Sequence, residues 1–287
     1  QGPAPGRSIM PRFVTPQLTV AFVLFLLPAS IYGQQIELSQ QYWSAELIRS
    51  HGQPVIPLFD GWFQNDDGSN TMCFGYFNLN SEQALDIPIG EANYLSDTRF
   101  PTQLPTHFDP LPPRYRHIFC AFSITVPKDF GREEKIVWHL SSAGENLSVP
   151  GHLKPAYVLD EPRSKGRGDL APLIRLGANE TGVRGRKGIH NRATLSATVG
   201  QPLTIEAWIE HPDPQIWTGW SHHAGPGEVE FDTQEAMITT DSGYASVNAT
   251  FSEPGEYTIR LQTIDSVAAF EFYCCHSNAY YNISVSN

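Results

Sequence analysis

The chain has 287 residues, with 19 Lys and Arg against 30 Asp and Glu, a formal net charge of −11, and 23 each of Gly and Pro. The charge is uneven: 15 acids and 8 bases from Gln34 to Asp160, 3 and 8 from Glu161 to Leu195, then 12 acids and one base, Arg260, from Ser196 to Asn287. A nucleic-acid partner needs cations clustered on a folded face, and here they concentrate in a Gly-rich connector, so that class is excluded.

Residues 1–33 read as a leader. Within it, 10–33 carries one cation, Arg12, then an apolar run from Leu18 to Ala29 and small residues before Gln34. That order is a secretory signal peptide, and an apolar run of about a dozen residues is shorter than the roughly 20 a membrane span needs. The expectation is a secreted or periplasmic chain with no membrane span after signal cleavage.

Residues 34–160 read as an amino-terminal β domain. Short apolar or alternating runs at Val55 to Phe59, Thr71 to Asn78, Ile118 to Val126 and Lys135 to Leu140 are punctuated by Pro and Gly, and none holds a helical stripe. Asn65-Asp66-Asp67-Gly68 supplies residues tolerant of positive φ between two aromatic-rich arms, which predicts a hairpin. The Pro-rich run Phe100 to Arg116 predicts an extended surface loop.

Residues 161–195 form a basic, Gly-rich linker, or a long loop laid across a domain face, with one apolar patch at Leu173 to Leu176. From 196 to 287 a strand rhythm resumes. Leu203, Ile205, Ala207 and Ile209 alternate onto one face, and further strands are expected at Gly227 to Asp232, Ser246 to Phe251, Glu256 to Thr263 and Tyr280 to Val285. Short strands separated by turn signals predict a sandwich of antiparallel sheets, giving an all-β chain of two β-sandwich domains.

In Phe251-Ser252-Glu253-Pro254-Gly255-Glu256-Tyr257-Thr258-Ile259-Arg260-Leu261-Gln262, Pro254-Gly255 makes a turn. Tyr257, Ile259 and Leu261 then point to a core, and Thr258, Arg260 and Gln262 to water. The run resembles the penultimate strand of PKD-like and related immunoglobulin-like modules, and the likeness covers about 90 residues. It lacks the Trp-Asp-Phe-Gly-Asp-Gly turn of PKD modules, so the broader immunoglobulin-like class is what it implies. The first block resembles, more loosely, β domains that precede such modules in exported bacterial proteins of unknown role.

Four cysteines allow three complete pairings, and in an exported chain thiols tend to oxidise. A pairing within each block joins Cys73 to Cys120 and makes a vicinal bridge of Cys274 and Cys275; the alternative is two reduced thiols pointing to opposite sheet faces. Two thiols followed by His276, with His222 and His223 elsewhere, also suit copper or zinc by softness. Against this, adjacent strand residues diverge and structural zinc sites use separated pairs. His222 and His223 lie in a Gly-Pro context that predicts an exposed loop. Asp213, Asp232, Glu235 and Asp241 supply oxygens of the kind calcium takes, without an EF-hand spacing. Trp217 and Trp220 are candidates for the sandwich core and for contact with a ligand. Trp62, Phe63, Tyr76, Phe77 and Tyr94 are a possible sugar-stacking platform or ordinary core. No Gly-x-Ser-x-Gly, His-Glu-x-x-His or phosphate-loop pattern occurs.

These features read as a non-enzymatic binding or structural module, contacting an extracellular protein or polysaccharide through sandwich loops, with no cofactor required. An exported hydrolase with an interdomain site, or a metal-handling protein using Cys274, Cys275 and His276, are the alternatives.

Overall fold

Alternating side chains and frequent turn residues give strands throughout. A computed structural model describes residues 2, 49–110, 117–159, 170–212, 215–240, 242–265 and 275–287. The leader and its signal peptide lie outside them. Among the described residues there is no α-helix, and no helix is long and apolar enough to cross a membrane. Ile48–Asn287 is one compact unit.

Its first half packs two three-stranded sheets. One has the order β1 (Val55–Gln64), β2 (Asn70–Asn78), β6 (Ile118–Val126); the other is β4 (Asn93–Leu95), β7 (Ile136–Ser142), β8 (Glu145–Gly151). A short ribbon pairs β3 (Leu85–Asp86) with β5 (His107–Phe108). The β1–β2 hairpin turns at Asn65 to Gly68, where Gly68 takes φ +82 and its N–H reaches the Asn65 carbonyl at 3.0 Å. Aromatic side chains fill the space between the sheets: Phe74 stacks on Phe122 at 5.1 Å, and Trp138 meets Phe122 edge-on at 4.9 Å.

The second half is a sandwich of a different order. One sheet runs β14 (Val229–Phe231), β16 (Ser242–Phe251), β12 (Leu203–Glu210), β9 (Leu173–Arg175). The other runs β10 (Ile189–His190), β18 (His276–Ser286), β17 (Gly255–Asp265), β13 (Ile216–Ala224), β15 (Glu235–Ile238), with β11 (Leu195–Thr198) also parallel to β18. The order within the sheets is immunoglobulin-like, with the first strand split between the two, although the edge strand beside β16 (β14) precedes the one beside β13 (β15) in the chain. Two further marks agree with it. Trp220 of β13 is buried in the core, and the Tyr257 hydroxyl, at the start of β17, donates to the Glu253 carbonyl at 2.8 Å, as in a tyrosine corner.

Three expectations change here. Part of the predicted linker is strand: β9 pairs β12, and β10 and β11 pair β18, because the Leu173 to Leu176 patch and the alternating residues after it find sheet edges to complete. His222 and His223 lie within strand β13 and are buried, not in an exposed loop. Thr258, Arg260 and Gln262 do not face water, since the amino-terminal half covers that face of β17.

Candidate functional site

A polar strand face is stable under another layer only if its groups find partners. The partners come from an irregularity in β6. Between the pairs Phe74–Phe122 and Tyr76–Ile118, strand β2 has only Gly75 while β6 has Phe119, Cys120 and Ala121. This bulge takes the three carbonyls out of the β2 ladder and turns them toward the sandwich.

Arg260 collects two of them. Its Nη2 donates to the Phe119 and Cys120 carbonyls, both at 3.3 Å, and to Asn278 Oδ1 at 2.8 Å. The Tyr280 hydroxyl takes the third, Ala121, at 2.9 Å. Asn278 Nδ2 adds a bond to the Arg186 carbonyl at 2.8 Å. Cys120 sits at φ +47, held by its disulfide to Cys73 and by its N–H on Asp60 Oδ2 at 2.6 Å. Arg260 is 3% exposed, so the sole Lys or Arg after Ser196 is spent on an internal seam.

The Pro-rich segment closes one side of that seam instead of lying on the surface. Gln103 Nε2 donates to Thr258 Oγ1 and to Asn282 Oδ1, the latter at 2.8 Å. The Thr106 N–H donates to the His223 carbonyl at 2.9 Å, and His223 Nε2 donates back to the Gln103 carbonyl at 3.2 Å. Next to this, His107 stacks on His222 at 4.3 Å. Both His107 nitrogens meet carboxylates, Asp86 at 2.7 Å and Asp109 at 3.1 Å. Burial lowers the His107 pKa, but the bonds and charges of Asp109 and Asp86 outweigh it and the net shift is upward. His222 moves the other way, down to about 4, by burial and the neighbouring His107 charge. Burial chiefly takes His223 down to about 3, with the Arg260 charge adding to it. The two stacked rings are therefore biased in opposite senses, His107 toward its charged form and His222 toward its neutral one.

Where the seam does not close, a cleft of about 470 Å3 remains, within the usual size range of small-molecule sites. It is lined by Pro101, Thr102 and Gln103 from the Pro-rich segment, Phe122, Ser123 and Thr125 from β6, and Lys187, Gly188, His190 and Tyr280 from the sandwich. His190 lies flat on Tyr280, with centroids 4.7 Å apart and planes 15° from parallel. Gly188 has φ +74, and a Cβ there would stand 2.7 Å from the Asn278 carbonyl oxygen, so glycine lets this segment lie close on β18. Among the described residues no carboxylate lines the cleft.

The residues singled out from sequence fall elsewhere. Cys275 is disulfide-bonded and buried, so its sulfur is not a thiolate ligand. Cys274 lies outside the described residues. His276 is buried with its ring edge-on to Phe119 at 5.8 Å, and among the described residues no three His, Cys, Asp or Glu side chains form a group able to hold a metal ion. Asp232 accepts from Asn248 Nδ2 at 2.7 Å and Glu235 from the Trp217 indole at 3.3 Å; Asp213 and Asp241 lie outside the described residues. Trp217 is half-buried beside Glu235, while Trp220 is core and presents nothing to a ligand. Of the supposed aromatic platform, Phe63 and Tyr76 are buried and Trp62 donates to the Lys154 carbonyl; Tyr94 is exposed, stacked on His139.

No family model and no curated protein matches the chain. Solved structures do. The D00-D0 domain of intimin is similar at 8% identity over 81% of this chain and 100% of that one, with a TM-score of 0.27. A titin immunoglobulin tandem, A164-A165, is similar at 8% identity over 82% and 98%, with a TM-score of 0.23. WR4, a C. elegans MSP family member, gives 10% identity over 32% and 92%, with a TM-score of 0.24. The immunoglobulin-like assignment rests on the strand order and the tyrosine corner.

Proposed function

We propose that this protein is an exported, non-enzymatic binding module that takes its ligand in the seam cleft, its two β layers acting as one rigid holder. One observation carries the reading: an open cleft, walled by side chains from both layers, whose described residues offer hydrogen-bonding groups and ring faces. Clefts with a few convergent polar groups and ring faces suit ligand binding. The disulfide between Cys73 and Cys120 and the apolar leader favour export, since such bridges persist in oxidising compartments. The broad class is an immunoglobulin-like sandwich, and the Pro-Gly-Glu-Tyr turn is the one feature it shares with the PKD-like subgroup.

The test is a binding screen of the folded chain against arrays of glycans and extracellular proteins, repeated with Ser123→Tyr. Ser123 is half-buried on β6, and a phenol there fills the cleft. Loss of the captured ligand with an unchanged melting temperature supports the reading. Retention at full affinity moves the site away from the seam.

A further inference from the structure

The chemistry of the cleft wall narrows the ligand, on the reading that the cleft is the binding site. In a chain with 30 acids and 19 bases, the described residues of the wall include one cation, Lys187, and no acid. Lys187 is exposed, and its charge is felt across the rim, where it helps lower the Asp67 pKa after the larger effect of the Ser69 bonds. Beside it the His190–Tyr280 stack is fixed from below by the Tyr280 bond to the Ala121 carbonyl, so the ring pair is a rigid plane. His190 is exposed on its outer side, and partial desolvation against the wall lowers its pKa.

Around this plane stand Thr102, Ser123, Thr125 and Gln103. Thr102 Oγ1 is committed as a donor to the Ser123 carbonyl at 2.9 Å, and Gln103 Nε2 to Thr258 and Asn282. Their oxygens keep acceptor capacity toward the cleft, and the Ser123 hydroxyl adds a donor. A ligand matching this wall has a flat C–H face, several hydroxyls that donate and accept, and one negative group. An acidic peptide supplies the charge but not the run of hydroxyls, and a neutral sugar leaves Lys187 unused.

We propose that the cleft binds an acidic saccharide, with a sugar ring over the His190–Tyr280 pair, its hydroxyls on Thr102, Gln103 and Ser123, and its anionic group on Lys187. The volume of about 470 Å3 accommodates a short oligosaccharide segment and not an extended polymer domain.

Isothermal titration of the intact protein distinguishes the possibilities, using four probes: a tetragalacturonate, a sulfated heparin-type tetrasaccharide, neutral cellotetraose and a tetraglutamate peptide. The proteins are wild type, Lys187→Gln and His190→Ala, all surface or rim changes, with melting temperatures as the control for folding. The expected result is binding of one or both acidic sugars, weakened about tenfold by Lys187→Gln, the loss of one charge-assisted hydrogen bond, and also weakened by His190→Ala. The carboxylated and sulfated arms identify which anion is preferred. Cellotetraose binding as tightly as the acidic sugars, with Lys187→Gln silent, overturns the acidic class while leaving the cleft as the site. Tetraglutamate alone binding overturns the saccharide. Acidic sugars binding equally to all three proteins overturns the cleft itself, and no binding by any probe overturns the proposal.

Discussion

Replacing Arg260 with Met keeps most of the aliphatic stem and removes the guanidinium that joins the two layers. Four hydrogen bonds disappear: to the Phe119 and Cys120 carbonyls at 3.3 Å, and two to Asn278 Oδ1 at 2.8 and 3.2 Å. Bonds from a charged donor contribute about 1.5–3 kcal/mol, with the long ones at the low end. The Cys120 carbonyl keeps the weak Asn278 contact at 3.4 Å, and the Phe119 carbonyl loses its Arg260 donor. Relief from burying a cation offsets part of the loss. The net expectation is a destabilisation of about 2–4 kcal/mol, which for a unit of this size lowers the melting temperature by roughly 4–16 °C. Urea unfolding followed by tryptophan fluorescence measures it, with Arg99→Met as the control. Arg99 is 66% exposed in its pair with Asp97, and such pairs contribute about 0–1 kcal/mol. If Arg260→Met is no worse than Arg99→Met, the seam is not held by this network and the reasoning fails.

Other outcomes follow from the same geometry. Tyr257→Ala removes a buried ring from the core and the corner hydrogen bond with it, and is expected to cost about 3–5 kcal/mol by urea midpoint; an unchanged midpoint would put the wrong face of β17 inward. Stability should fall as pH drops from about 6.5 toward 4. His222 and His223 have folded pKa values of about 4 and about 3, so the unfolded chain binds protons first, and each imidazole forfeits about 2 kcal/mol by pH 5. His107, shifted upward, acts in the opposite sense, stabilising below its unfolded pKa and losing that contribution as pH rises. A His223→Gln variant whose urea midpoint keeps the full acid dependence of wild type contradicts this assignment. Opening the Cys73–Cys120 bridge by paired Cys→Ala substitution frees a loop of sequence separation 47, worth about 4 kcal/mol in the chain-entropy picture. Calorimetry showing no loss would mean that the unfolded chain is already compact there.

The strands with clean alternation were legible from residue order. Leu203 to Ile209 and Tyr257 to Leu261 put their apolar members into one core as period-two patterning requires, and the Asn-Asp-Asp-Gly turn set the first hairpin. The seam was not. Alternation says which face of β17 is more apolar but cannot say whether the polar face meets water or a second layer, because a satisfied polar interface has the same composition as a solvated one. The available signal was Arg260 itself, a single cation in an acidic block, which is more economical as an internal clamp than as surface charge. Gly225-Pro226-Gly227 reads as loop, yet β13 runs through His222 and His223 up to Ala224, so the turn residues mask the end of the strand. The cleft depends on Gly188, His190 and Tyr280 meeting Gln103 and Ser123, which lie 65 to 177 positions away in the chain, and no local pattern carries that.

The cleft exists only while the bulge of β6 stays closed against β17 and β18, so hydrogen exchange at that seam is the most direct test. Amides of Phe119 to Ala121 and of Thr258 to Gln262 should exchange together, at the free energy of global unfolding, and both should become fast in Arg260→Met. Rapid exchange of Phe119 to Ala121 in the wild-type protein while β17 remains protected would mean that the layers part freely, and the seam would hold no site.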